Sequence, residues 1–262
     1  MKNIPSSNIP FTRLLGAFAL SFILLAPAVR AADEPAKKLP SAKEVIAKFV
    51  KAIGGREAIL KQTSMHATGT FAMPAQGVNG ALEVFASKPN KLLLKIDITG
   101  FGKVSQGFDG KVGWTLDPAQ GPMLLKDKML EQVSTEADFY GTLHDEKNFT
   151  SMETVEATKF EGKDCYKLKL VRKNGHETIE FYDVKTALLN GTMSTHDSAL
   201  GALPVTSIVG EYKEFGGVKM PTKISQKIGP AEQVLTITSV ENNKVADSEF
   251  DLPAPIQALV KP

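Results

Sequence analysis

From Ser64 onward the chain reads as short segments of alternating polarity separated by turn dipeptides, and nothing else in the sequence constrains the fold as tightly. Eleven segments have strand character: 64–72, 80–87, 91–98, 103–108, 112–117, 163–171, 176–183, 186–194, 204–213, 218–226 and 233–240. In the third, Leu92, Leu94, Ile96 and Ile98 share one side while Lys91, Lys95 and Asp97 mark the other. Tyr166, Leu168 and Leu170 oppose Lys167, Lys169 and Val171, and Ile179 and Phe181 oppose Glu180 and Tyr182. Side chains alternate across a strand, so period two with one polar side means an antiparallel sheet that is wet on one face. Pro89-Asn90, Asp109-Gly110, Asn174-Gly175, Asn190-Gly191 and Gly216-Gly217 fall between segments. Such pairs make the tight turns that join neighbouring strands.

Helical spacing occurs in two places. Ser41 with Glu44 has the spacing of a capping box, and Val45, Ile46, Phe49, Val50 and Ile53 follow as one apolar stripe. Gly54-Gly55 ends it, and 56–62 adds a short helical piece. The stripe reads as core packing. Residues 126–140 form the second helical stretch, with Met129, Leu130, Val133 and Ala137 on one side. Helices gathered on one face of an antiparallel sheet define an α+β architecture. A chain of 262 residues accommodates this as a single domain over 41–262, after a flexible leader at 32–40.

The N-terminus has the layout of an export signal. Lys2 and Arg13 precede an apolar run from Leu14 to Val29, no acidic residue occurs before Asp33, and Val29-Arg30-Ala31 offers small residues for cleavage after Ala31. The run falls short of the roughly 20 residues a membrane-spanning helix needs. A signal peptide over 1–31 predicts a soluble protein of the periplasm. Without Lys2, Arg13 and Arg30, the 31 basic residues fall to 28 against 29 acidic ones. A nearly neutral chain has no field to hold a nucleic-acid backbone. No cysteine follows the apolar run, so the chain is not itself a lipoprotein, and Cys165 alone makes neither an intrachain disulfide nor a cysteine metal cluster.

Catalytic and metal-binding patterns are missing from the sequence. His66, His144, His176 and His196 are never three or four apart. His144-Asp145-Glu146 reads as a solvated loop, and the hydrolase residue types in Ser194-Thr195-His196-Asp197 alternate faces on a strand and do not converge. No enzyme, metal or cofactor is expected. Cys165 reads as a small buried hydrophobe, and Trp114 either fills the core or lines a ligand cavity.

Three motifs occur in an order that resembles the LolA-like and LolB-like family of periplasmic lipoprotein-sorting proteins. They are Phe108-Asp109-Gly110-Lys111-Val112-Gly113-Trp114-Thr115-Leu116-Asp117-Pro118, Lys88-Pro89-Asn90-Lys91 before an alternating strand, and Gly216-Gly217-Val218-Lys219-Met220-Pro221-Thr222-Lys223-Ile224 near the end. The resemblance implies a curved, incomplete antiparallel barrel, here of about eleven strands, with helices on its concave face and acyl chains bound between. The family's carrier has an arginine three residues after the Pro-Asn turn that latches a lid helix. Leu93 stands there, so the resemblance does not extend to that latch.

Geometry supports the same function. The helical pieces at 41–62 and 126–140 are too short to cover the apolar face of eleven strands, which leaves a hydrophobic cleft. The expected ligand is a lipid or an acylated lipoprotein, bound by a monomer. Strand alternation together with the helical stretch nominates Leu92, Leu94, Ile96, Trp114, Leu116, Phe139, Leu168, Leu170, Ile179 and Phe181 as lining residues. The alternative is a non-enzymatic adaptor that docks on an envelope membrane complex through sheet edges and loops.

Overall fold

The computed structural model describes residues 38–198, 201–229 and 231–260. The expected signal peptide and most of the leader lie outside these. Helix α1 (Ala42–Ala52) starts at Ser41, whose hydroxyl accepts from the Glu44 amide at 3.3 Å while its own amide donates to the Glu44 carboxylate at 2.7 Å. Both N-terminal donors are thereby satisfied, which sets the start of the helix. Gly54, at φ +124°, turns the chain into α2 (Arg56–Lys61). A side chain there would strike the Gly217 carbonyl, so the bare backbone is what lets α1 end against a distant hairpin.

Thirteen strands follow: β1 (Ser64–Met73), β2 (Val78–Ser87), β3 (Lys91–Ile98), β4 (Gly102–Phe108), β5 (Gly113–Asp117), β6 (Gly121–Leu124), β7 (Phe149–Phe160), β8 (Lys163–Arg172), β9 (Glu177–Asp183), β10 (Leu189–Ser198), β11 (Gly201–Phe215), β12 (Val218–Ile228) and β13 (Ala231–Asn242). All eleven expected segments are strands. The two additional ones are the edges, for a physical reason: β6 is only four residues long, and β7 carries few buried side chains to reveal its period.

The sheet order is β6-β5-β4-β3-β2-β1-β13-β12-β11-β10-β9-β8-β7, antiparallel throughout. The chain therefore walks outward from β1 to one edge, crosses to the opposite edge, and walks back to pair β13 with β1. The crossing segment contains α3 (Asp127–Glu136), which touches β4 and β5 on one side and β10 on the other. In a flat sheet β4 and β10 would be about 34 Å apart at ~4.8 Å per strand. A ten-residue helix is only about 15 Å long. The sheet must curl toward α3, and its two edges remain apart, so the architecture is an incomplete barrel whose concave face carries α1, α2 and α3.

The convex face is not bare. After β13 the chain turns at Asp247–Phe250 and forms α4 (Ala254–Val260) against it. Phe250 and Ile256 pack there with Phe85, Leu93 and Trp114. Lys91 and Lys95 hold this segment through Asp247 at 2.6 Å and Glu249 at 3.6 Å. The expectation that every helix lies on one face is corrected accordingly. Leu93 belongs to this outer cluster, on the side opposite α3. Among the described residues, no helix is long and apolar enough to cross a membrane.

Candidate functional site: a cavity between two helical plugs

The concave face is filled from both flanks and left open between them. On one flank α1 and α2 press Val45, Ile46, Phe49 and Ile59 onto Leu168 and Leu170 of β8, Tyr182 of β9 and Phe149 of β7. On the other, Val133 of α3 and Ala137, the residue that caps its end, pack on Phe108 of β4, with Leu92 and Leu130 beside them. Between the two plugs lies a cavity of about 430 Å³, within the range of small-molecule sites. Its floor is Met65, Val84, Ala86, Leu92, Met220 and Val240 from five strands. Its walls are Phe49 and Ile53 of α1, and Ala137 and Phe139 at the end of α3. Exposed Lys219 and half-buried Asn242 stand among the lining residues, where the cavity meets solvent.

Hydrogen bonds to backbone carbonyls hold these walls. The Lys219 amide donates to the Ile53 carbonyl at 2.8 Å, which fixes the end of α1 to the β11–β12 hairpin. Gln62 donates to the Gly216 carbonyl at 2.9 Å on the same hairpin. The Phe139 amide donates to the Pro89 carbonyl at 3.1 Å, and the Tyr140 hydroxyl to the Gln62 carbonyl at 2.9 Å. The Gly-Gly pairs at 54–55 and 216–217 and the Pro-Asn turn, read separately in the sequence, are thus joined around one rim.

The ten nominated residues divide into three groups. Leu92 and Phe139 line the cavity. Leu94 and Ile96 continue along the same inner face beside Leu82 and Ile237, and Leu168 and Leu170 also point inward but are sealed beneath α1. The remaining four face outward. Trp114 and Leu116 pack with the C-terminal segment, and Trp114 lies flat over Gly107, where any side chain would strike its ring. Ile179 and Phe181 join Phe160 and Cys165 on the convex side, with the Phe160 and Phe181 rings stacked at 4.1 Å. Trp114 is buried in this outer cluster and is not among the residues that line the apolar cavity. Met65, Val84, Tyr212 and Met220 were missed as lining residues; the nearest sequence signal was the α1 stripe, whose Phe49 and Ile53 form a wall as well as a core.

Strand β9 reverses the polarity expected of it. Glu180 and Tyr182 face inward under α1, and His144 reaches them from the crossing segment. His144 Nε2 lies 3.0 Å from a Glu180 carboxylate oxygen, its Nδ1 donates to the Thr142 carbonyl at 3.0 Å, and the Tyr182 hydroxyl donates to Glu180. Side-chain exposure is 9% for His144 and 11% for Glu180, so the solvated-loop reading of His144 is corrected. Burial pulls the imidazole pKa down, but Glu180 outweighs it and His144 sits above its ordinary value. Burial pushes Glu180 up, and His144 and Tyr182 more than reverse that, leaving it below the ordinary carboxylate value. Both directions describe an ion pair. Neither group lines the apolar cavity. Cys165 is fully buried, with the Asn190 amide donating to its sulfur at 3.2 Å. Among the described residues, no three His, Cys, Asp or Glu side chains are grouped to hold a metal ion.

The chain matches no family model and no curated protein by sequence. Solved structures do match. A LolA superfamily protein from Nitrosomonas europaea aligns over 82% of this chain and 99% of its own, with TM-score 0.54 and 14% identity. A DUF1329 family protein from Desulfovibrio piger aligns over 80% and 97%, with TM-score 0.56 and 11% identity. A domain described as outer membrane lipoprotein-sorting, from Vibrio parahaemolyticus, aligns over 80% and 97%, with TM-score 0.50 and 13% identity. Identities this low speak to architecture, and the architecture agrees with the resemblance carried by the three motifs: the chain has the LolA-like fold, an α+β incomplete barrel of thirteen antiparallel strands with α1, α2 and α3 on its concave face.

Proposed function

We propose that the protein is a non-enzymatic carrier of the cell envelope that binds a lipid, or the acyl chain of a lipoprotein, in the cavity between α1, α3 and the sheet. One observation carries this reading: an apolar cavity of about 430 Å³ lies where three short helices do not span the concave face. Each buried methylene contributes about 0.8 kcal/mol. On the order of ten of them supply about 8 kcal/mol, the scale of a micromolar complex, before the cost of ordering the chain. No charged contact is required, in keeping with a chain whose residues after Ala31 are nearly neutral. The LolA-like fold, shared with a domain described as lipoprotein-sorting, supports the same reading, and the export signal read at 1–31 supports an envelope location.

The test is organic extraction of the purified protein followed by mass spectrometry, with uptake of a fluorescent fatty acid measured in parallel. Lipid is expected in the extract. Ala86→Trp, which fills the cavity floor, and Val84→Glu, which charges it, are each expected to cut uptake at least tenfold while the circular dichroism is unchanged. A clean extract with no uptake by the wild type would overturn the carrier reading in favour of an adaptor. Uptake undiminished in both variants would show that the cavity is not the binding site.

A further inference from the structure

Helix α3 borders a second cavity, of about 450 Å³ and different chemistry. Gln132 and Thr135 of α3, Ser194 and His196 of β10, and Asn174 with His176 of the β8–β9 hairpin line it. The Gln132 side chain spans it, its amide nitrogen 2.6 Å from His196 Nδ1 and its carbonyl accepting from the Asp197 amide at 2.9 Å. Glu136, in the last turn of α3, lines both this cavity and the apolar one. An apolar chamber and a hydrogen-bonding chamber thus meet at one residue, an arrangement that fits a molecule with a tail and a head.

The sign of the head follows from the lining. Among the described residues that line the polar cavity, Glu131, Glu136, Glu177 and Asp197 are acidic and Lys128 is the one lysine or arginine. Glu177 is already paired with Lys169 at 2.8 Å. That leaves three carboxylates to one lysine among these lining residues. A phosphate or carboxylate head would meet net like charge there, whereas an ammonium group brings three donors to these acceptors. Glu136 accepts from the Gln132 side chain at 2.9 Å, and desolvation raises its pKa against the pull of Gln132, His196 and His176.

We propose that the ligand is an amphiphile whose tail occupies the apolar cavity and whose cationic amine head lies in the polar cavity across Glu136. This rests on the carrier reading and adds the class of head group to it. The experiment is calorimetric titration of the whole protein at pH 7 and low salt with three chain-matched probes below their micellar concentrations: dodecylamine, dodecanol and dodecanoate. Dodecylamine, protonated at this pH, is expected to bind about tenfold or more tighter than dodecanol, and dodecanoate weaker than dodecanol. The double variant Glu131→Gln, Asp197→Asn alters only the polar cavity; it is expected to bring dodecylamine to the affinity of dodecanol and leave dodecanol unchanged. Equal affinity for all three probes would overturn the head-group assignment and leave the tail site standing. A preference that survives the double variant would likewise remove the head from this cavity. Binding of none would overturn the carrier reading itself.

Discussion

His144 and Glu180 lie 36 positions apart in the chain and meet beneath α1, where Phe49 covers the Tyr182 ring edge-on at 5.2 Å. Removing one member of such a buried pair strands the other, at a cost of roughly 3–5 kcal/mol. His144→Leu is therefore expected to lower unfolding stability by about that much, and His144→Leu with Glu180→Leu together by less than the single change, as read by urea titration. A double variant no more stable than the single would show that the residual charge is not the source of the loss. The pH dependence follows from the two directions. The raised imidazole contributes stability fully below its unfolded value of ~6.5, and that contribution fades as pH rises through the higher folded value. The depressed carboxylate contributes above its unfolded value of ~4.3, and that contribution fades as pH falls through the lower folded value. The stability difference between wild type and the double variant should thus be largest between about pH 4.3 and 6.5 and shrink on both sides.

At the scale of elements, the C-terminal segment decides what the outer face of β2 to β6 is for. Ile256, with no exposed surface, sits among Phe85, Leu93, Trp114 and Phe250, and the lysine pairs at Asp247 and Glu249 tether the approach to it. Ile256→Asp places a charge in that cluster without a partner and is expected to undock α4. Trp114, the one tryptophan, reports the event: its emission should shift to the red, with fatty-acid uptake unchanged because the cavity is on the opposite face. Unshifted emission would mean that α4 does not shield Trp114. Helix α1 contrasts with α3 in how firmly it is built. The first has a capping box and four buried side chains; the second has no side-chain cap, begins at Asp127 with φ of +49°, and buries Val133 alone.

At the scale of the whole molecule, that contrast predicts uneven stability. The core under α1 and α2 joins β7, β8 and β9, while α3 is a strap tied down by Gln132 and a smaller cluster. Local opening follows the density of such contacts. In hydrogen exchange the amides of α3 are expected to exchange at least tenfold faster than those of α1, and to slow when a bound fatty acid fills the cavity against Ala137 and Phe139. Equal protection of both helices would contradict this ranking. The same layout explains why the concave face is neither closed nor filled: one chain crossing from edge to edge supplies a single strap, and a strap leaves space on either side.

Turns, strand periods and the start of α1 were legible because each is local. Asp109 satisfies the Lys111 and Val112 amides inside its own turn, and Ser41 and Glu44 cap each other within one helical turn. The count fell short only at the edge strands, where half the pattern is solvent. The motifs also carried the fold class, because the order of hairpins is written along the chain. The assignment of faces was not legible. Alternation says that two sides of a strand differ, but not which side is covered, and here both are: Phe181 under Phe160 and Trp114 under Ile256 on the outside, Tyr182 and Glu180 under α1 on the inside. Those covers come from residues tens to more than a hundred positions away, so only the folded chain could choose among them. The cavity is decided at the same level, since its volume is what remains after distant helices have packed.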